Sequence, residues 1–130
     1  MKKRLLDLGK LAHQLKKQGK LKQAEETYQE LLNLDRYNTY ALVGLGDLKR
    51  RSRAFEAAIG FYRECLSLER DNWHALVGLG DAYRGLKDLD KALDAWFRCL
   101  KLRPYDYKTM TRMADCLKKK GDFEGSKKYY

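Results

Sequence analysis

The sequence has a single proline, Pro104, and no apolar run approaching the ~20 residues that a membrane-spanning helix needs. Its basic start, Met1 to Arg4, is not followed by the uninterrupted apolar segment of a secretory signal peptide, because Asp7, Gly9 and Lys10 intervene. The composition, with 44% hydrophobic and 35% charged residues, excludes a disordered chain and favours a folded helical protein. A cytoplasmic location is therefore the default expectation.

Histidine and cysteine are also scarce, and their spacing gives no catalytic or metal-binding pattern. His13 and His74 have no serine, cysteine or carboxylate at a spacing typical of a triad or a metal site. Cys65 and Cys99 are 34 residues apart, which between stacked repeats means roughly 8–10 Å and is too far for a disulfide. We therefore predict reduced, buried cysteines in a protein that is not an enzyme and has no cofactor or metal.

What the sequence does contain is a repeat. The residues Ala-Leu-Val-Gly-Leu-Gly-Asp at 41–47 return unchanged at 75–81, which gives a period of 34 residues. A fixed period of this size is typical of stacked repeats. It predicts one array over residues 1–130, with units at 5–38, 39–72, 73–106 and an incomplete unit at 107–130. In each unit, apolar residues recur at helical spacing on both sides of a polar break, so the predicted fold is all-α with two helices per unit.

Polar residues suited to capping helices recur with the same period. Asn38, Asn72 and Asp106 each precede the first helix of a unit, where a side-chain oxygen accepts a hydrogen bond from a free N–H group. Asp88 and Asp122 precede second helices in the same way. Arg4 occupies the capping position of the first unit, so we expect its first helix to fray.

Four glycines lie inside the predicted first helices, at a cost of about 1 kcal/mol each relative to alanine: Gly44, Gly46, Gly78 and Gly80. Gly46 and Gly80 fall on the apolar face, and we expect them to let the partner helix come close near Ala58 and Ala92. The other two lie on a different face. They either form a shallow binding floor beside the preceding valines or ease the packing between neighbouring repeats, and both explanations stay open.

The third unit carries the most complete set of spaced motif residues: Leu76, Leu79, Gly80, Tyr83, Leu89, Ala92, Trp96 and Pro104. These residues closely resemble the tetratricopeptide repeat family, and the resemblance extends over almost the whole chain. Arg53 and Lys87 depart from the family pattern, because they stand where the turn glycine usually lies. The resemblance implies a right-handed α-solenoid of helix-turn-helix repeats, whose first helices line a concave groove that binds peptides or partner proteins.

In the geometry of that family, a set of first-helix residues faces the groove: Tyr40, Val43, Asp47, Arg50, His74, Val77, Asp81, Arg84, Lys108 and Arg112. Val43 and Val77 provide apolar surface, whereas Lys108 and Arg112 provide positive charge. The expected partner is therefore a protein or peptide of acidic and apolar character. One subclass of the family binds acidic tails through a clamp of Lys and Asn side chains, and this chain lacks most of that pattern. Each aspartate also stands three residues before a basic residue, a spacing that favours ion pairs within one helix.

The net charge of +10 leaves an alternative function open, because basic surfaces also attract nucleic acids. We rank nucleic-acid binding lower, because a 34-residue period is more usual for the peptide-binding family than for its RNA-binding relatives. The last unit stops within its second helix without a polar capping element. We therefore expect an excised fragment or a truncated last helix, and self-association through the uncapped C-terminal face is a third possibility.

Overall fold

The computed structural model describes residues 1–121, and this part of the chain forms seven α-helices and no strand. The helices are α1 Lys2–Lys17, α2 Leu21–Leu34, α3 Thr39–Arg51, α4 Phe55–Leu68, α5 Trp73–Gly85, α6 Leu89–Leu102 and α7 Tyr107–Lys119. The predicted all-α fold is confirmed. Within the described range, each helix is too short or too polar to cross a membrane.

The helices stack in chain order. Each one packs against the next, and the first helices of neighbouring units also touch, α1 with α3 and α3 with α5. In the described residues, the second helices α2, α4 and α6 make at most marginal contacts with one another. A stack in which the first helices approach and the second helices diverge must curve towards the first helices. This part of the chain is therefore a helical repeat solenoid with α1, α3 and α5 on its inner side.

The helix starts follow the predicted caps. The side chains of Asn38, Asn72 and Asp106 accept hydrogen bonds from the backbone N–H three residues later, at 2.9, 3.0 and 3.2 Å. Asp88 caps α6 in the same manner, at 3.3 Å. Each bond satisfies an N–H group that the helix itself leaves without a partner. The cap predicted at Asp122 lies outside the described residues.

The start of α1 differs from the prediction. α1 begins at Lys2 with Met1 as its N-cap, so Arg4 lies inside the helix and not at the capping position. The Arg4 guanidinium pairs with Glu30 on α2 at 3.2 Å. The period identifies which residues are equivalent between units, but it does not determine how far a terminal helix continues beyond the equivalent start.

Arg53 and Lys87 adopt the conformation that glycine adopts at the equivalent turns. Their φ angles are 65° and 64°, compared with 79° and 80° at Gly19 and Gly121. In both basic turns the next N–H bonds to a carbonyl five residues earlier, at 2.8 and 3.0 Å, which closes the helix as a glycine would. A side chain in this conformation costs roughly 1–2 kcal/mol, and a basic group near a helix C-terminus returns only roughly 0.3–1 kcal/mol. The two turns therefore keep basic residues at a net cost in stability.

One large aromatic residue per repeat fills the space between helices. Tyr28, Tyr62 and Trp96 stand 34 residues apart on α2, α4 and α6 and are at most 1% exposed. A Cβ atom at Gly46 would lie 2.6 Å from Cε1 of Tyr62, and one at Gly80 would lie 2.8 Å from Cε2 of Trp96. The close approach predicted for these glycines is therefore made by an aromatic ring, and not by the backbone of the partner helix.

The other two helical glycines serve the packing between repeats. A Cβ atom at Gly44 would lie 2.7 Å from Cε2 of Tyr28, and one at Gly78 would lie 2.6 Å from Cε1 of Tyr62. In both cases the ring comes from the preceding unit. Of the two explanations, the structure supports packing between repeats at both glycines, and Gly44 also lies in the lining of a pocket described below.

Candidate peptide-binding site

The ten residues predicted to face a groove lie on α3, α5 and α7, and the structure distributes them over three pockets. Tyr40, Val43, Asp47 and His74 line one pocket, which α1, α3 and α5 share. Arg50, Asp81 and Arg84 line a second pocket, and Arg84 and Arg112 line a third. Val77 and Lys108 lie outside these three pockets. The structure therefore brings four of the ten together.

The first of these, the α1–α3–α5 pocket, has a volume of about 250 Å³. Its lining consists of His13, Lys16, Tyr28, Thr39, Tyr40, Val43, Gly44, Asp47, Asn72 and His74. The ring centroids of Tyr28 and Tyr40 are 6.2 Å apart with an interplanar angle of 53°, and both rings face the pocket together with Val43. The pocket thus combines an apolar wall with polar groups from three successive units.

Several of these lining residues were absent from the sequence-based prediction. His13 and Lys16 stand one period before Asp47 and Arg50. Extending the predicted groove by one period, onto α1, would therefore have identified both residues. Tyr28 belongs to a second helix, where the family geometry places no groove residue. Its ring reaches the inner side only because Gly44 leaves room for it.

Asp47 is held by three groups of the chain itself. Its carboxylate accepts a hydrogen bond of 2.5 Å from the Tyr62 hydroxyl and one of 3.1 Å from the Lys16 ammonium. The guanidinium of Arg50 lies 3.6 Å away and donates to the Tyr62 hydroxyl through Nε at 3.2 Å. Two cations offset one carboxylate, so Asp47 does not make the pocket repel an acidic ligand.

Asp81 repeats this arrangement in the next unit. Its carboxylate accepts hydrogen bonds from Trp96 Nε1 at 3.2 Å and from Arg112 Nε at 2.9 Å, and Arg84 lies 3.7 Å away. The Asp81 side chain is only 5% exposed. Asp81 and Arg112 are therefore engaged by one another within the fold, and a role of Asp81 in ligand binding stays a prediction. The pairs expected within one helix are present at both aspartates, but the shorter contacts join different units.

Burial changes the ionisation of two groups in the pocket. It lowers the pKa of His74 below its ordinary value, although the charge of Asp47 acts in the opposite direction. It raises the pKa of Tyr28 well above the ordinary value for tyrosine, and the neighbouring Tyr40 and Asp47 raise it further. At neutral pH, His74 and Tyr28 are therefore uncharged. The pocket offers hydrogen-bonding groups and apolar surface, and its lining includes one lysine.

The second pocket, here named the turn-edge pocket, lies at the C-terminal ends of α3 and α5 and has a volume of about 530 Å³. It is lined by Arg50, Arg53, Phe55, Asp81, Arg84, Gly85, Lys87, Leu89 and Lys119. Five of these nine residues are basic and one is acidic. Its electrostatic character is therefore strongly positive, in contrast to that of the α1–α3–α5 pocket.

The stacked helical hairpins, the turn geometry and the ring-covered glycines define a helical repeat protein built from one recurring unit. The chain matches the tetratricopeptide repeat model over residues 10–67 and 66–107, which together cover most of its length. It therefore belongs to the tetratricopeptide repeat family. No curated protein sequence matches the chain.

Solved structures share the fold at low sequence identity. The chain is 22% identical to the first tetratricopeptide repeat domain of Spaghetti (RPAP3) bound to the HSP90 peptide SRMEEVD, with a TM-score of 0.87 over 92% of this chain and 94% of that one. It is 21% identical to the first such domain of human RPAP3, with a TM-score of 0.84 and 97% of each chain covered. It is 18% identical to MamA from Desulfovibrio magneticus RS-1, with a TM-score of 0.87 over 96% of this chain and 71% of that one.

Proposed function

We propose that this protein is a non-enzymatic interaction scaffold that binds a peptide segment of a partner protein in its α1–α3–α5 pocket. The observation that carries the proposal is the lining of this pocket, which combines side chains from three successive units on the inner side of the solenoid. A peptide that lies across the pocket therefore contacts all three units at once. The peptide bound by the RPAP3 domain of the same fold supports this proposal.

The lining also indicates the chemistry of the peptide. The rings of Tyr28 and Tyr40 and the side chain of Val43 suit one apolar residue, whose burial contributes about 25 cal/mol per Å². The Lys16 ammonium suits a carboxylate of the peptide, because Lys16 and Arg50 together carry two positive charges against the single negative charge of Asp47. We therefore expect a peptide with an apolar residue next to an acidic one. The small volume of the pocket favours micromolar affinity over nanomolar affinity.

The test is fluorescence anisotropy with the whole chain and a short labelled peptide that contains leucine flanked by glutamates. Tyr40→Ala removes one apolar wall of the pocket, and we expect a loss of affinity of about tenfold, the usual size for truncating a central aromatic contact. Tyr105→Ala is the matched control, because Tyr105 is 80% exposed and lies outside the pocket. Circular dichroism checks that both variants stay folded.

Two results would contradict the proposal. One is an equal affinity of the Tyr40→Ala and Tyr105→Ala variants for the peptide, which would remove the pocket from the binding surface. The other is preferential binding of a single-stranded RNA of similar length at physiological salt, which would favour the nucleic-acid alternative. Analytical ultracentrifugation of the free chain tests the remaining alternative, self-association.

A further inference from the structure

The turn-edge pocket is separate from the proposed peptide site. It lies at the C-terminal ends of α3 and α5, whereas Tyr40 and His74 of the α1–α3–α5 pocket lie at the N-terminal ends of these helices. The two linings share no residue. A ligand in the turn-edge pocket would therefore not compete directly for the contacts of the other pocket.

The basic residues of this pocket divide into two groups. Arg50 and Arg84 are engaged by Asp47 and Asp81. In the part of the chain that the structure describes, no ion pair forms at Arg53, Lys87 or Lys119. Three cations from three successive units thus converge on one pocket without a carboxylate of their own.

Two of these three cations occupy strained backbone positions. Arg53 and Lys87 have φ angles of 65° and 64°, where Gly19 and Gly121 hold the equivalent turns without strain. The helix dipole does not explain why a basic residue replaces glycine at these turns, because α1 carries basic residues in its last turn and is still followed by glycine at the turn. Side chains kept at strained positions often serve a function. The two observations, uncompensated charge and retained strain, meet at the same residues.

The floor of the pocket selects among anionic ligands. Phe55 and Leu89, one period apart, provide apolar surface between the cations. The Arg53 guanidinium lies 5.4 Å over the Phe55 ring and occupies that face, so the ring is no platform for stacking a nucleobase. Carboxylates and phosphates both form strong charge-assisted hydrogen bonds with arginine and lysine, so the access to the ring face decides between the two ligand classes. An acidic peptide with one apolar side chain therefore fits better than a nucleic acid.

We propose that the turn-edge pocket is a second binding site, which takes an acidic peptide segment through Arg53, Lys87 and Lys119 and seats an apolar side chain on Leu89, next to the Phe55 ring. This site requires neither the α1–α3–α5 pocket nor its ligand. A partner with two suitable segments would engage both ends of α3 and α5 at once, and its affinity would rise through the higher effective concentration of the second segment.

The experiment uses the whole chain with the Tyr40→Ala substitution, which weakens the α1–α3–α5 pocket, and a labelled peptide rich in glutamate with one leucine, together with its glutamine counterpart. The double variant Arg53→Gly with Lys87→Gly removes two charges and relieves two strained turns. We expect a higher Tm and an affinity about tenfold lower, as for two lost charge pairs of exposed type. The double variant Arg53→Gln with Lys87→Gln removes the charges and keeps the strain, so its affinity falls equally while its Tm does not rise. The glutamine peptide binds only weakly.

The matched control is the double variant Arg36→Gln with Arg70→Gln. These two exposed arginines are also one period apart, and they lie in the loops at the other end of the helices. If the control lowers affinity as much as the Arg53 and Lys87 variants, binding follows net charge alone and the proposal is wrong. An unchanged affinity in both Arg53 and Lys87 variants refutes it as well. Tyr40→Ala also separates the two sites. A loss of peptide affinity that Tyr40→Ala causes and that the Arg53 and Lys87 substitutions do not increase would keep the proposed function and exclude this second site.

Discussion

Replacing Gly78 by alanine tests the central packing feature of the fold with a single added methyl group. The new Cβ atom would lie 2.6 Å from Cε1 of Tyr62 and 2.7 Å from its hydroxyl oxygen. Such distances are far below van der Waals contact, so the ring must move. Tyr62 is fully buried, and its hydroxyl bonds to Asp47 and Arg50, so a shift of the ring also disturbs these hydrogen bonds.

The expected free-energy change follows from three contributions. Alanine gains about 1 kcal/mol over glycine inside a helix. Overpacking a filled core costs roughly 1–3 kcal/mol. Weakening a hydrogen bond to a charged group costs roughly 1.5–3 kcal/mol. The losses exceed the gain, and we expect Gly78→Ala to lower the free energy of unfolding by about 1.5–5 kcal/mol in spite of the better helix propensity.

Gly60 provides the matched control. It lies inside α4, it is exposed, and a Cβ atom there would meet nothing within 4 Å. Gly60→Ala should therefore raise the stability by about 0.5–1 kcal/mol. Urea unfolding followed by circular dichroism measures both variants. The same substitution is thus expected to lower the stability at Gly78 and to raise it at Gly60. Stabilisation by both variants would show that the Tyr62 ring does not cover Gly78.

Two further predictions concern a helix cap and the buried thiols. Asn72→Ala removes the side chain that accepts from Ala75 N–H, and it should lower the free energy of unfolding by about 1 kcal/mol in the same urea assay, whereas an unchanged midpoint would show that the cap does not contribute. Burial raises the pKa of the Cys65 thiol to about 11, so a thiol reagent at pH 8 should label this fully buried cysteine only when the chain unfolds. Rapid labelling of Cys65 in the native protein would contradict its placement in the core.

The sequence was a good guide to those features that depend on local spacing. The caps at Asn38 and Asn72 and the period of the first helices follow from residue type and position, so they could be read before the structure. The glycines indicated a close approach correctly. They could not indicate which atoms approach, because the reach of the Tyr62 ring depends on its rotamer and on the offset between two units.

The candidate site was harder to predict, since its main contacts join distant parts of the chain. Lys16 and Asp47 are 31 residues apart, as are Asp81 and Arg112, and neither pair appears in a search for charges on one helix face. The sequence-based prediction therefore treated these aspartates as groove residues with partners three positions away. The structure instead places them as links between repeats, and the Lys16 end of one link also lines the α1–α3–α5 pocket.

The α1–α3–α5 pocket lies where these links between aspartates and their partners depart from the repeat pattern. In the second and third units, the aromatic residue of the second helix donates a hydrogen bond to an aspartate on the first helix, Tyr62 to Asp47 and Trp96 to Asp81. In the first unit the aspartate position is occupied by His13, so Tyr28 lacks the equivalent carboxylate. The Tyr28 ring lies over Gly44 of the next unit, as the Tyr62 ring lies over Gly78, and the pocket forms beside it. The candidate site thus includes the one position of the first unit, His13, where the aspartate of the next two units is absent.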